Sequence, residues 1–302
     1  MPEAGDAPGS GAPGREGPAG DLRAGGATRG FGSRLAAAMR AKGQLCVGVD
    51  PHPGLLAAWG LDDSVNGLRT FSQTVLEAVA PVAAAIKPQV ALYERHGSAG
   101  FAVLEELLAA AARAGVLTIA DAKRGDIGST MAGYADAWLR DGSALAADAV
   151  TLSPYLGFES LRPALDVAAG SGRGVFVLAL TSNPEGASVQ HVGGADSVAR
   201  RIAQAAAVEN RRHAADVLGP VGLVVGATVG TALVELDIDL AAVHGPILAP
   251  GLGAQGAAAS DIRNTFGAAY PAVLATSSRG ILQAGPGTGA LRRAAEESRR
   301  GL

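Results

Sequence analysis

The stretch Val116-Leu-Thr-Ile-Ala-Asp121-Ala-Lys123-Arg-Gly125-Asp126-Ile-Gly-Ser129-Thr130 reads as a buried strand that ends in charge and runs into a helix. Its first part, 116–123, is a short apolar run of the kind that parallel strands covered on both faces require. Asp121 and Lys123 are two residues apart, so the alternation of a strand sends both side chains to one face. Gly125 gives the chain freedom to turn out of the strand. Ser129 or Thr130 is placed to cap the following helix.

The same alternation extends in both directions. Apolar runs rich in Val, Ile and Leu occur at 45–50, 84–89, 116–123, 146–153, 174–181, 221–228, 246–251 and 272–278. Helical spacing of Ala, Leu, Glu and Arg fills stretches between them, at 66–80, 98–114, 129–142, 158–169, 194–217 and 255–267. Strand followed by helix predicts right-handed βαβ units and a parallel sheet. About eight units fit, as a (β/α)₈ TIM barrel needs, and the rival is an open doubly wound sheet. No linker interrupts 31–302, which is expected to be one barrel domain. Residues 1–30, rich in Gly, Ala and Pro, are expected to be a disordered tail.

Both architectures place ligands at the carboxyl ends of the strands. Polar residues collect there: Asp50, Lys87, Asp121 with Lys123, Ser153, Thr181 with Ser182, Thr228, Gln255 and Arg279. An Asp-x-Lys pair alone is more often an ion pair that closes a strand. Its company at the other strand ends argues for a site.

Composition narrows the classes. The chain has 302 residues, 48% hydrophobic and 18% charged, with a formal net charge of −3. No cationic excess exists to displace counterions from a nucleic acid, so a general nucleic-acid binder is not expected, while a small anionic ligand stays open because it needs only a local positive site. The single cysteine, Cys46, can form neither an internal disulfide nor a multi-thiolate metal site, and it reads as a buried small hydrophobe. The absence of a long uncharged apolar stretch predicts no membrane span, and the expected location is the cytoplasm. The five histidines, among them His52, His96, His191 and His213, lack metal-ligand spacing. Trp59 and Trp138 read as apolar packing, and Glu105, Glu106, Glu296 and Glu297 as helix surfaces.

The full string Asp121-x-Lys123-x-x-Asp126-Ile-x-x-Thr130 resembles the signature of the orotidine 5′-phosphate decarboxylase family. The resemblance runs from about Leu45 to Leu282. It is closest to the longer bacterial subgroup (type 2), through Val49-Asp50-Pro51, Ile86-Lys87-Pro88-Gln89, Tyr93-Glu94-Arg95-His96-Gly97 and Leu152-Ser153-Pro154-Tyr155-Leu156-Gly157. It implies decarboxylation of orotidine 5′-phosphate to UMP, the last step of de novo pyrimidine synthesis, without a cofactor or metal. In that reading Lys123 gives the proton to C6 and Asp121 sits beside the departing carboxylate. Lys87 completes the charge network. Asp50 bonds the ribose, and Ser182, or its neighbour Thr181, meets the pyrimidine edge. Asp126 and Thr130 reach into the partner's site in a homodimer.

Two further segments are expected to carry the phosphate. Gly251-Leu-Gly253-Ala-Gln255-Gly256 follows the seventh strand, and Thr276-Ser277-Ser278-Arg279-Gly280 follows the eighth. Barrels often bind phosphate in these two loops, where glycines admit the backbone and Arg offers a planar fork. The expected contacts are Gly253, Gln255, Ser278, Arg279 and Gly280, and the resemblance assigns Gln255 and Arg279 to the 5′-phosphate. Gly251–Gly256 also spells G-x-G-x-x-G, but it opens no first βαβ unit and no acid follows about 20 residues on, against a dinucleotide site. Loops 183–196 and 251–260 both remain open as the lid. Two alternatives stand beside this reading. One is a metal-dependent sugar-phosphate lyase on the same barrel, disfavoured because Lys87 stands where that branch carries an acid for Mg²⁺. The other is a nucleotide-binding regulator without turnover.

Overall fold

A computed structural model of the chain describes residues 30–213, 216–253 and 258–302. Eight strands close into a parallel barrel in sequence order. They are β1 (Leu45–Val49), β2 (Ala85–Pro88), β3 (Leu117–Arg124), β4 (Ala149–Leu152), β5 (Gly174–Leu180), β6 (Val221–Val225), β7 (Ile247–Pro250) and β8 (Val273–Ser277). Each lies within, or one residue beyond, a run expected from the sequence. β8 pairs with β1 through Leu45–Ala275, Cys46–Thr276 and Val47–Ser277, which removes both sheet edges and rules out the open alternative.

Helices cover the outside. Ser64 caps the helix Val65–Val79 by accepting from Gly67 N at 3.2 Å, and Leu68, Phe71, Val75, Leu76 and Val79 form its buried stripe. The helix Gly97–Arg113 buries Val103, Leu104, Leu107, Leu108 and Ala111 in the same way. Trp59 packs on Phe71, with ring centroids 4.4 Å apart, and donates to Leu282 O at 2.9 Å.

A second core fills the barrel itself. Cys46, Ala85, Ile119, Ala149, Phe176, Val224, Leu248 and Leu274 contribute one inward side chain from each strand. The helix Phe31–Lys42 plugs this core from the amino-terminal end, with Phe31 edge-on to Phe176 at 5.9 Å. Burying a side chain of that size contributes about 1.5–3 kcal/mol. This helix is absent from the helical stretches expected from the sequence.

Several boundaries differ from expectation. The helix expected over 194–217 spans Val198–Asn210. Ser197 caps its start. Its last residue is Asn210, whose buried amide bonds Val221 N, Val221 O and Val243 O at 2.8–3.0 Å, and a 3₁₀ turn, Arg211–His213, follows. The stretch expected over 158–169 begins as a 3₁₀ turn, Phe158–Leu161, before the helix Arg162–Ser171. The helix expected over 255–267 is Ala259–Phe266. Residues 1–29 of the expected tail lie outside the described residues, and so does Gln255.

The turn after β3 corrects two local expectations. The helix Gly128–Leu139 has Ile127 at its N-cap without a side-chain cap, and Ser129 and Thr130 lie inside the helix. Asp126 Oδ1 instead accepts from Ile127 N at 2.8 Å. Positive φ falls on Lys123 (+49°) and Gly128 (+52°), not on Gly125. Gly125 is needed for close approach: a Cβ there would stand 2.3 Å from Ser153 O.

Candidate active site

The carboxyl ends of the strands surround a cavity of about 610 Å³. Asp50, Lys87, Asp121, Lys123, Thr181 and Arg279 line it, over an apolar floor that includes Leu178, Val224 and Leu248. Polar walls over an apolar floor suit a small ligand that is partly charged and partly apolar.

Asp121 is the centre of the charge array. Its Oδ2 accepts from Lys87 Nζ at 2.6 Å and Gln89 Nε2 at 3.2 Å. Its Oδ1 accepts from Lys123 Nζ at 2.6 Å and Thr151 Oγ1 at 3.0 Å. Thr151 Oγ1 in turn accepts the Lys123 backbone N–H at 2.9 Å. Thr151 and Gln89 were not singled out from the sequence as Asp121 contacts. The available signal for Thr151 was its place two residues before Ser153, on the inward alternation of β4.

The electrostatics follow from burial and pairing. Burial by itself raises the Asp121 pKa, but the Lys87 and Lys123 ammonium groups and their hydrogen bonds outweigh it and hold the carboxyl well below the usual range. Burial by itself lowers the Lys87 pKa, and the Asp121 and Asp50 carboxylates reverse that and push it above the ordinary lysine value. Cys46, deeper in the barrel, has its thiol pushed up to about 12 by burial. It is inert packing, as expected.

Lys123 occupies the left-handed backbone region. That conformation costs a residue with a Cβ about 1–2 kcal/mol. Such strain persists only where the surroundings impose it, and it concentrates at functional sites.

The other expected residues divide. Asp50 lines the cavity, and its buried Oδ1 has no hydrogen-bond partner among the described residues. Ser278 and Arg279 also line it. Gly48 makes room for Ser278, because a Cβ at 48 would stand 1.9 Å from Ser278 Oγ. Thr181, not Ser182, forms part of the lining, and Gly253 and Gly280 lie outside it. Asp126 is half-buried, Thr130 is exposed, and neither lines this cavity. Among the described residues no group of three or more His, Cys, Asp or Glu side chains could hold a metal ion. No helix among them is long and apolar enough to cross a membrane.

Fold and site together define a (β/α)₈-barrel protein with an acid held between two lysines in the barrel mouth, beside Arg279. The match is to one family: the chain belongs to the orotidine 5′-phosphate decarboxylase / HUMPS family, whose model covers residues 43–294. It is a carboxy-lyase, as are its relatives. The orotidine 5′-phosphate decarboxylase of Salinispora arenicola is 56% identical over 88% of this chain and 94% of its own length. That of Streptomyces coelicolor is 53% identical over 88% and 94%. A crystal structure from Streptomyces avermitilis superimposes with a TM-score of 0.86 at 53% identity, covering 90% of this chain and 94% of that one.

Proposed function

We propose that the protein decarboxylates orotidine 5′-phosphate to UMP and CO₂, with Lys123 as the proton donor. The observation that carries the reading is Asp121 held between Lys87 and Lys123 in a cavity rimmed by Arg279.

The bond from C6 to the carboxylate carbon breaks, and its electron pair stays on C6. A pyrimidine ring stabilises that pair poorly. The barrier reduction needed lies toward the top of the ~8–23 kcal/mol range enzymes reach. Fixed charge is the source of that reduction: an ammonium already in place favours the negative charge as it develops and needs no reorganisation. Lys123 then passes its proton to C6. Asp121, kept ionised by both lysines, repels the substrate carboxylate, and the repulsion ends as neutral CO₂ leaves.

Asp50 Oδ1 is buried and has no hydrogen-bond partner among the described residues, which is costly unless the ligand supplies a donor. A ribose hydroxyl is that donor. Ser278 and Arg279, with Gly253, Gln255 and Gly280, receive the phosphate. Thr181 stands on the cavity wall where the pyrimidine edge would lie, with Ser182 beside it.

The working unit in this reading is a cytoplasmic homodimer with shared sites. Asp126 and Thr130 stay out of their own cavity. Beside them Ile127 is 61% exposed, and on the next loop Tyr155 is 80% exposed. A partner covering this face would bury both and receive Asp126.

The direct test is an absorbance assay with orotidine 5′-phosphate, with and without a chelator. Turnover indifferent to chelation is expected. No turnover, or turnover lost on chelation and restored by Mg²⁺, would overturn the reading.

A further inference from the structure

The end of β3 is the irregular part of the barrel wall. Its pairing with β4 runs Ile119 with Ala149 and Ala120 with Val150, then resumes at Arg124 with Leu152. Asp121, Ala122 and Lys123 therefore oppose Thr151 alone. Such a bulge re-aims side chains, and this one carries the acid and the lysine of the site. A bulge with a left-handed lysine must be held from outside itself. Lys123 does not hold itself: its side chain is 47% exposed, and among the described residues Asp121 is the recorded partner of its ammonium.

Arg124 closes the bulge. Its carbonyl accepts from Ser153 N at 2.7 Å, which restores pairing with the β4 side. Its guanidinium donates to Ala122 O at 3.0 Å, across the bulge, and to Glu94 Oε1. The guanidinium carbon lies 5.7 Å from the Tyr134 ring centroid and 5.8 Å from that of Trp138, both on the helix Gly128–Leu139. Glu94 ends the short helix Ala91–Glu94 that follows β2. That helix is itself fixed on either side of Glu94. Tyr93 OH shares a buried 2.8 Å hydrogen bond with Ser72 Oγ, and Arg95 grips Asp63 through both of its terminal nitrogens at 2.6–2.7 Å.

We propose that Arg124, anchored by Glu94, is a positioning residue that sets the bulge and so aims the Lys123 ammonium at the reacting carbon. The inference rests on the reading of Lys123 as proton donor. It gives the segment Tyr93-Glu94-Arg95 a purpose at the site, although none of its side chains lines the cavity.

The test is Arg124→Met, which keeps an apolar stem, with Glu94→Gln, the double variant and Arg124→Lys. A small misplacement of a reacting group costs up to about a hundredfold in rate, so kcat of Arg124→Met should fall roughly ten- to hundredfold. KM for orotidine 5′-phosphate should stay within about twofold, since the substrate contacts are untouched. The solvent deuterium isotope effect on kcat should rise, because a misaimed ammonium makes proton delivery more rate-limiting. Glu94→Gln should shift kcat and the isotope effect in the same direction by less. The double variant should be no worse than Arg124→Met, as expected of residues acting as one unit. Arg124→Lys should recover part of the rate, since it keeps the cation and loses the planar fork.

An unchanged kcat in Arg124→Met overturns the proposal. So does a loss of activity that tracks lost circular dichroism with an unchanged isotope effect, which would make the role structural. If Arg124→Met does not fold, Glu94→Gln decides alone, and wild-type kcat with a wild-type isotope effect rejects the clamp. Lys123→Ala run alongside separates the failures. An active Lys123→Ala rejects the donor reading and this inference with it. An inactive Lys123→Ala beside a wild-type-like Arg124→Met rejects the positioning role only.

Discussion

Lys87 on β2 and Asp121 on β3 meet Nζ to Oδ2 at 2.6 Å, with 6% and 9% of their side chains exposed. Removing Lys87 takes away the buried counterion of Asp121 and leaves the half-exposed Lys123 as its remaining cation. Lys87→Met is expected to destabilise the fold by about 3–5 kcal/mol. Adding Asp121→Asn should cost less than the two single losses summed, because the second change removes the stranded charge. Urea denaturation of the wild type, both single variants and the double variant checks this. Simple additivity would mean that the pair contributes no coupling.

The same pair sets a pH window. Asp121 has a depressed folded pKa, so its stabilisation is complete above the ordinary carboxylate value of about 4 and is lost as pH falls below it. Lys87 has a raised one, so its contribution is complete below about 10 and is lost as pH rises through the folded value. Between these limits neither group should titrate. Wild-type stability should therefore fall more steeply than that of Asp121→Asn as pH drops below about 4. Denaturation midpoints at a series of acidic pH values measure the difference, and parallel curves would contradict the depressed carboxyl.

Arg279 stands at the cavity rim at the start of the short helix Arg279–Leu282. Arg279→Ala should raise KM for orotidine 5′-phosphate about ten- to hundredfold, the equivalent of roughly 1.5–3 kcal/mol for a charge-assisted hydrogen bond. Orotidine, which lacks the phosphate, should react almost as before. Because remote binding energy also drives closure, kcat with the phosphorylated substrate should fall as well. Equal losses on both substrates would place the guanidinium elsewhere.

Asp126 supplies a test of the shared site. Lys123→Ala and Asp126→Ala are expected to be nearly inactive alone. Mixed under conditions that exchange subunits, half of the dimers become hybrids, and each hybrid has one site with both lesions and one with neither. About a quarter of the sites should recover. If Asp126 acts within its own subunit, every site keeps a lesion and nothing recovers, which after proven exchange would return Asp126 to its local bond with Ile127 N.

The strands were legible because a parallel barrel strand is covered by helices on one side and packed core on the other. It therefore reads as an unbroken apolar run, and β1 to β8 all do. Asp50, Lys87, Asp121, Lys123 and Arg279 were legible for a related reason. Each is a polar residue at the end of such a run, where only the mouth of the barrel can receive it, and all five line the cavity. Thr151 and Glu94 were harder to read. A threonine inside a strand and an acid in a short helix are ordinary residues until their partners, 30 positions away in each case, are brought to them.

The sequence by itself determined the eight strands, the charged strand ends and the family, because periodicity and a contiguous motif are local properties of the chain. The tertiary structure alone decided the backbone of Lys123. Nothing about a lysine asks for φ +49°, and the preference of an isolated residue opposes it. The bulge against β4, the Arg124 contacts to Ala122 and Glu94, and the approach of Ser153 O to Gly125 hold it there. The plug helix Phe31–Lys42 is a similar case, since its buried face has meaning only once Phe176 and the closed barrel stand above it. Closure of the barrel is the common cause. It places residues far apart in sequence within bonding distance, and contact energies between such residues then override what each would adopt alone.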